Sequence, residues 1–389
     1  MKHFLFALIT IPCLLWIHFD VSPLVGAKFN RRLAGEKQTK LAQPPTWWNG
    51  GLQAKWEKSI RDEAASFPFA LRLRNQLRWE LFGELQGADI IHADGKPWLW
   101  VSEVVKRSWP RQEKQLEEVL DNWAVLERWM VSQGKSLYFI VNANKHWAFE
   151  NEEWSRATGK CVEDLLPRGV RFGQFIQQEL GRRDLDAFVV GPWLSAVHDT
   201  SRAPMWPRNG IHCSVASAEL IVDSVMRDLS ELWGMPLPKR ISLGGRWEAE
   251  AQYADNDKGN NCNLLWDLPA DSLWYPDFSW DLSKSPRDSL PRVMRIGDSF
   301  GNQLHAYGGL AAAFHPESRR FHYNREEKHY GIGFYQTTIL KTAVTGQVLM
   351  EELRRSDALI VDYSESTFLV HSSKFFKKID GIMKEAKSL

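Results

Sequence analysis

Cysteine is scarce in this chain, four residues in 389, and no two are spaced as Cys-x-x-Cys. Cys13 falls in an apolar amino-terminal run, which leaves Cys161, Cys213 and Cys262. An odd trio without ligand spacing indicates neither a disulfide framework nor a zinc site, so these read as isolated thiols. Net charge is also nearly absent: 49 Lys and Arg against 48 Asp and Glu give +1. A chain so balanced has no overall electrostatic footprint for a phosphate backbone, which argues against nucleic acid as a main partner. With 44% apolar and 25% charged residues, disordered, collagen-like and multi-span membrane classes are excluded. Tyrosine is sparse at 8, whereas tryptophan reaches 19. That surplus needs either a large core or a ligand that favours flat aromatic faces.

The first feature present is the run from Phe4 to Phe19, broken by Thr10, Pro12 and His18 and ended by Asp20. It is short of the roughly 17–25 residues that a bilayer span requires. A signal peptide fits, with small residues at Val25-Gly26-Ala27 for cleavage, and so does an uncleaved membrane anchor; a buried first helix is the third reading. Lys28, Arg31, Arg32, Lys37 and Lys40 follow the run while only Lys2 precedes it, an asymmetry opposite to the one that export favours. The chain then divides into 1–27, signal or anchor; 28–46, a basic polar linker containing Pro44-Pro45; and 47–389, one large domain.

Helical stripes alternate with short apolar runs through that domain. Leu116, Val119, Leu120, Trp123, Leu126 and Met130 recur at helical spacing ahead of Gly134, and Leu137–Val141 follows as a buried strand. Phe172, Phe175, Ile176 and Leu180 precede Ala187–Val190 in the same way. A third stripe runs from Ala218 to Leu232, Val293–Ile296 reads as a strand, and a helix-like segment over 338–355 leads into Ala358–Val361. The pattern predicts an α/β fold with a mainly parallel sheet flanked by helices. Residues 244–290, rich in Asp, Asn, Gly and Trp, read as a long surface excursion. Asp255-Asn256-Asp257-Lys258-Gly259 is loosely like a calcium loop, but Trp266 stands where the last acidic ligand belongs, so no metal is expected.

The sharpest local signal is Gly297-Asp298-Ser299-Phe300, directly after Val293–Ile296 and before a helix-like stretch. A strand, turn and helix in that order put a hydroxyl at the carboxyl end of a sheet strand, where open α/β sheets build their sites. Backbone N–H groups at the helix start could face an oxyanion; a plain turn or helix cap is the competing reading. A serine nucleophile needs a base, and His212, in the turn-rich loop from Trp206 to Ser214, is the histidine placed ahead of a helix. A structural histidine fits the pattern equally well.

In order along the chain, several segments resemble the alginate O-acetyltransferase family, the AlgJ and AlgX group, whose fold is SGNH-hydrolase-like. They are Phe29–Ala34, Phe67–Ala70, Asn75–Gly83, Gly95–Trp100, Asn144-Lys145, Gly210–Cys213 and Gly297–Phe300. The resemblance implies Ser299 as the acyl-accepting nucleophile and His212 as its base. The family's acid, two residues before the histidine, falls on Gly210, and Cys213 replaces the tryptophan after it; Asp199 is the nearest upstream acid to orient the imidazole. It further implies an O-acetyltransferase of an exopolysaccharide or envelope glycan, in the periplasm, held at the inner membrane by the amino-terminal segment or secreted. No cofactor is implied, the acetyl group being delivered by a membrane-bound O-acyltransferase partner. A carbohydrate esterase with the same pair and a non-catalytic glycan-binding protein are the alternatives. Arg325 is a candidate for an anionic substrate group, and Trp206, Trp47-Trp48 and Trp98-x-Trp100 are candidates for stacking on sugar.

Overall fold

In a computed structural model of the protein, the described residues are 68–388, except 87, 94–95, 101–112, 167, 199, 202, 252, 269–270, 323–324 and 331–337. The amino-terminal run, the basic linker and Trp47-Trp48 lie outside them. None of the described helices is long and apolar enough to cross a membrane. The described residues form two compact units, 68–90 with 256–269, and 91–255 with 270–388.

In the smaller unit, the helix Pro68–Phe82 opens on a proline, which tolerates a first-turn position because its missing N–H has no partner there anyway. Its polar face ties down the 262–266 segment. Arg72 Nη1 donates to Leu264 O at 3.1 Å, Asn75 Nδ2 to Cys262 O at 3.0 Å, and the Trp266 N–H to Gln76 Oε1 at 3.3 Å.

The larger unit is built on one sheet of seven strands: β1 Ser136–Asn142, β2 Ala187–Val189, β3 Val293–Gly297, β4 Arg319–His322, β5 Arg325–Tyr330, β6 Thr338–Ala343 and β7 Ala358–Ser364. Its spatial order is β6-β5-β4-β3-β7-β1-β2. The pairs β4–β3, β3–β7, β7–β1 and β1–β2 are parallel, and β5 runs antiparallel to both neighbours. This is the mixed α/β, mainly parallel sheet that the alternation of helices and apolar runs predicts. The central strands are largely apolar because both of their faces are covered, and the charged exceptions, Arg295 of β3 and Asp362 of β7, pair with each other. On one face Leu137, Phe139, Met294, Ile296 and Leu359 pack against helices α1 Glu113–Ser132 and α2 Phe172–Gly181. On the other, Tyr138, Ile140, Val293 and Ile360 pack with α3 Val215–Leu232 and with Leu304 of α4 Ser299–Ala306.

Much of the tryptophan surplus is core. Trp123 is fully buried among Phe139, Phe375 and Phe376, and its Nε1 donates to Ser372 Oγ at 3.0 Å, so a large apolar body is packed while its one polar atom is satisfied. Trp98, Trp129, Trp147, Trp154 and Trp206 are buried as well.

One sequence expectation is corrected. The helix expected over 338–355 is a strand, β6, followed by the shorter helix α5 Gly346–Arg355. Thr338, Ile339 and Thr342 are β-branched and suit a strand, and Thr345 caps α5 by accepting from Val348 N. Part of the 244–290 excursion has regular structure. Lys239–Glu248 and Leu273–Asp281 pair as an antiparallel ribbon, with a register shift between Ser242 and Gly244.

Candidate active site

The carboxyl ends of β3, β7 and β1 lie side by side, and each continues into a polar turn: Gly297-Asp298-Ser299, Ser364-Glu365-Ser366 and Asn142-Ala143-Asn144. Ser299 is the first residue of α4, and Asp298 is the cap. Asp298 Oδ1 accepts from the N–H groups of Phe300 at 2.8 Å and Gly301 at 3.4 Å. Its Oδ2 accepts from the Ser364 N–H at 2.7 Å and from Thr367 Oγ1. One buried carboxylate thus starts the helix and fastens the Gly297–Ser299 turn to the end of β7. The N–H groups of Phe300 and Gly301 are committed to that cap, so the helix start does not offer them to an oxyanion as the sequence suggests.

Below the turn lies a balanced set of buried charges. Arg295 Nη2 donates to Asp362 Oδ2 at 2.5 Å, and its Nη1 is 2.5 Å from His305 Nδ1. Arg320 Nη2 donates to Asp298 O at 3.0 Å. Burial raises the Asp362 pKa, against which the Arg295 and Arg320 charges act. Two guanidinium groups against two carboxyl groups keep any single charge from being stranded in the interior.

His212 reaches Ser299: its Nε2 is 3.3 Å from Ser299 Oγ. The ring is 8% exposed and packs on Phe300 with centroids 4.4 Å apart. Its loop is held from below by Lys145, whose buried ammonium donates to Leu99 O at 2.6 Å, Arg208 O at 2.7 Å and Gly210 O at 2.7 Å. An ammonium has three donors and no acceptor, so these three carbonyls match its valence and fix the chain just ahead of His212. After the histidine, Ser214 caps α3 by accepting from Ser217 N at 3.2 Å.

Asp199 lies outside the described residues. A different carboxylate, Asp255, is wholly buried against the same loop, with Oδ2 accepting from Val215 N at 3.5 Å. Burial first, and the Asp255 charge second, push the Cys213 thiol up to about 12, so Cys213 is a buried neutral thiol and not a nucleophile. Cys161, Cys213 and Cys262 are all free. Trp206 is 1% exposed, edge-on to His198, and leaves no ring face for a sugar. Trp98 is likewise taken up internally, beneath Arg208 and Lys145 and against Phe149. Arg325 opens β5 in the row Gly297, His322, Arg325, at the same edge of the sheet as Ser299. Two strand spacings put its backbone roughly 10 Å from that of Gly297.

Glu365, in the polar Ser-Glu-Ser-Thr at the end of β7, is a buried carboxyl that the sequence pattern does not single out. Its Oε1 accepts from Asn144 N at 3.2 Å and Trp147 Nε1 at 3.1 Å, with His146 Nε2 at 3.3 Å. Burial pushes its pKa up to about 7, and burial with the Arg171 charge holds His146 well below its ordinary value. A carboxyl whose folded pKa exceeds its unfolded one stabilises the protein fully below the unfolded pKa and loses that contribution as pH rises through the folded one. Between about pH 4.5 and 7, wild-type stability is expected to fall relative to Glu365→Gln by roughly 3 kcal/mol. Urea unfolding of both proteins across that range checks it; a constant difference contradicts it.

The site is thus a buried imidazole beside a serine hydroxyl at the carboxyl edge of a mainly parallel sheet on an α/β scaffold. Among solved structures, the chain is similar to the O-acetyltransferase domain of Pseudomonas putida AlgJ, at 14% identity and a TM-score of 0.45, covering 72% of this chain and 92% of that one. It is also similar to Bacillus cereus PatB1, at 10% identity and a TM-score of 0.41, covering 72% and 97%. Pseudomonas aeruginosa AlgX matches at 12% identity and a TM-score of 0.42, covering 74% and 67%. No protein-family model matches the chain, and no curated protein does.

Proposed function

We propose that this protein is a serine-dependent O-acyltransferase that moves acetyl groups onto sugar hydroxyls of an exopolysaccharide or cell-envelope glycan. The observation that carries this reading is the 3.3 Å approach of His212 Nε2 to Ser299 Oγ on the first residue of a capped helix. Ser299 Oγ attacks the acetyl carbonyl of the donor as His212 Nε2 takes its proton. The negative charge on the carbonyl oxygen is met by Ser299's own N–H, and the donor's alkoxide leaves with the proton from His212. In the second half a sugar hydroxyl attacks the acetyl-serine, His212 accepts its proton, and Ser299 is released. Water in place of the sugar gives acetate, the esterase reaction of the same pair.

With Gly210 where the related family has its acid, we assign the orienting carboxylate to Asp255, because it is buried against the Cys213–Val215 turn. Asp255→Asn is expected to lower kcat on the order of 10²–10⁴-fold with little change in KM. A loss on Asp199→Asn and none on Asp255→Asn would return that role to Asp199. Arg325, at the same sheet edge, is the group proposed to meet an anionic substituent of donor or acceptor. Export to the periplasm by the 1–27 segment, and acetyl supply by a membrane-bound O-acyltransferase, complete the proposal. The test is incubation of the full chain with p-nitrophenyl acetate and a defined oligosaccharide, followed by mass spectrometry of the sugar. Acetylated sugar supports transfer; acetate release with unmodified sugar makes the protein an esterase.

A further inference from the structure

Between the antiparallel ribbon and the amino-terminal part of α3 lies a slot of about 330 Å³, at the lower end of the ~300–1,000 Å³ typical of small-molecule sites. One wall carries two indoles, Trp247 and Trp274. They are cross-strand partners in the ribbon, with ring centroids 5.6 Å apart and planes inclined by 55°. Trp247 is 50% exposed, in contrast to the buried tryptophans of the core. Leaving half an indole in water forgoes the burial that makes it stabilising, and a ligand with an apolar face restores it.

The opposite wall is polar at its rim. Glu219, half-buried on α3, lines the slot together with Ser201. The nearby cation, Arg240, has a side chain only 3% exposed; it donates to Glu219 O, pairs with Asp223 at 2.5 Å and lies 3.6 Å from Glu219 Oε1. The slot therefore presents flat aromatic faces, one carboxylate acceptor and one hydroxyl. It also shares a wall with the catalytic loop. Met205, which lines it, has its carbonyl bonded to Ser214 N at 2.9 Å and Ser217 Oγ at 2.6 Å, immediately beyond His212.

We infer that this slot binds a neutral pyranose unit of the acceptor glycan, its C–H face on Trp247 and its hydroxyls donating to Glu219. A pyranose has one apolar C–H face and a rim of hydroxyls, which matches these walls. Arg240 is already shared by two carboxylates, Glu219 and Asp223, so a uronate would bring a third against one cation, and the slot selects against it. The word acceptor rests on the acyltransferase reading; the binding itself does not.

Calorimetric titration of the full chain with cellohexaose and chitohexaose tests it, with a mannuronate hexamer as the charged comparison. At least one neutral hexamer is expected to bind, more tightly than the uronate. Trp247→Ala should weaken binding by about tenfold or more, and Glu219→Gln by several-fold. Leu243→Ala, on the same ribbon but outside the slot and 66% exposed, should leave binding unchanged. Failure of both neutral hexamers to bind, equal binding by Trp247→Ala, or tighter binding of the uronate overturns the inference. Covalent labelling of Ser299 by phenylmethylsulfonyl fluoride, run on the same proteins, keeps the two readings apart. Wild-type labelling without sugar binding removes the slot and leaves the enzyme, whereas sugar binding without labelling does the reverse.

Discussion

Acetyl transfer by His212→Ala is expected to fall on the order of 10⁴-fold or more, with KM for the donor little changed. The serine hydroxyl is a weak nucleophile at neutral pH and becomes competent only as its proton departs. His212 Nε2 is the ring nitrogen positioned to take that proton, at 3.3 Å. Its ring is packed on Phe300, one residue after Ser299, so both groups of the proposed pair are held by the same helix start. Ser299→Ala should give a loss of similar size, and the double variant little more than either alone, because the two act as one unit. The rates are read by single-turnover acetylation with p-nitrophenyl acetate, and unchanged circular dichroism shows that the fold is kept. Losses that multiply in the double variant would mean that the two residues act separately.

Gly297→Ala is expected to prevent folding to the native state. A β-carbon at this position would lie 1.3 Å from Asp362 Oδ1 and 2.9 Å from Asp362 O. Asp362 cannot step aside, since it is fully buried and bound by Arg295 at 2.5 Å. Overpacking ordinarily costs about 1–3 kcal/mol after relaxation; with a buried ion pair displaced as well, the cost here should exceed ~4 kcal/mol. Gly134→Ala is the contrast. Its φ of +71° is unfavourable for alanine, but nothing lies within 4 Å of the added methyl, so about 1 kcal/mol is expected. Thermal unfolding of the two variants separates them: a modest shift for Gly134→Ala and loss of the cooperative transition for Gly297→Ala. A cooperative, near-native transition for Gly297→Ala would show that the turn has more room than its geometry indicates.

The parts legible in the sequence were those written in local pattern. Continuous apolar runs announced β1, β2 and β7, and a run broken only by Arg295 announced β3, because strands covered on both faces have no polar alternation to hide in. Ser299 was visible for the same reason: a Gly-Asp-Ser immediately after such a run has few places to go other than the sheet's carboxyl edge. His212 was ambiguous from pattern, since only the approach of residues 87 positions apart distinguishes a base from a structural histidine. Lys145 and Asp255 were harder still. Lys145 bonds carbonyls of Leu99, Arg208 and Gly210, and Asp255 reaches Val215 N across 40 positions. Contacts with backbone atoms so distant leave no residue-type signature at either end. Arg295 did leave one: an arginine inside a buried strand requires a buried partner, which the structure supplies in Asp362. The strand at Thr338–Ala343 was misread because its threonines and isoleucine were weighed by spacing instead of by their β-branched shape. Trp206 shows the limit of proximity in sequence, for it stands six positions from His212 and yet is closed in the core.

The most direct test of the central claim is intact and peptide mass spectrometry of the full chain quenched during turnover of p-nitrophenyl acetate without acceptor. One acetyl group per chain, located on Ser299 and absent from Ser299→Ala, is the result predicted here. Acetylation found elsewhere, or equal acetylation of the Ser299→Ala protein, would contradict it.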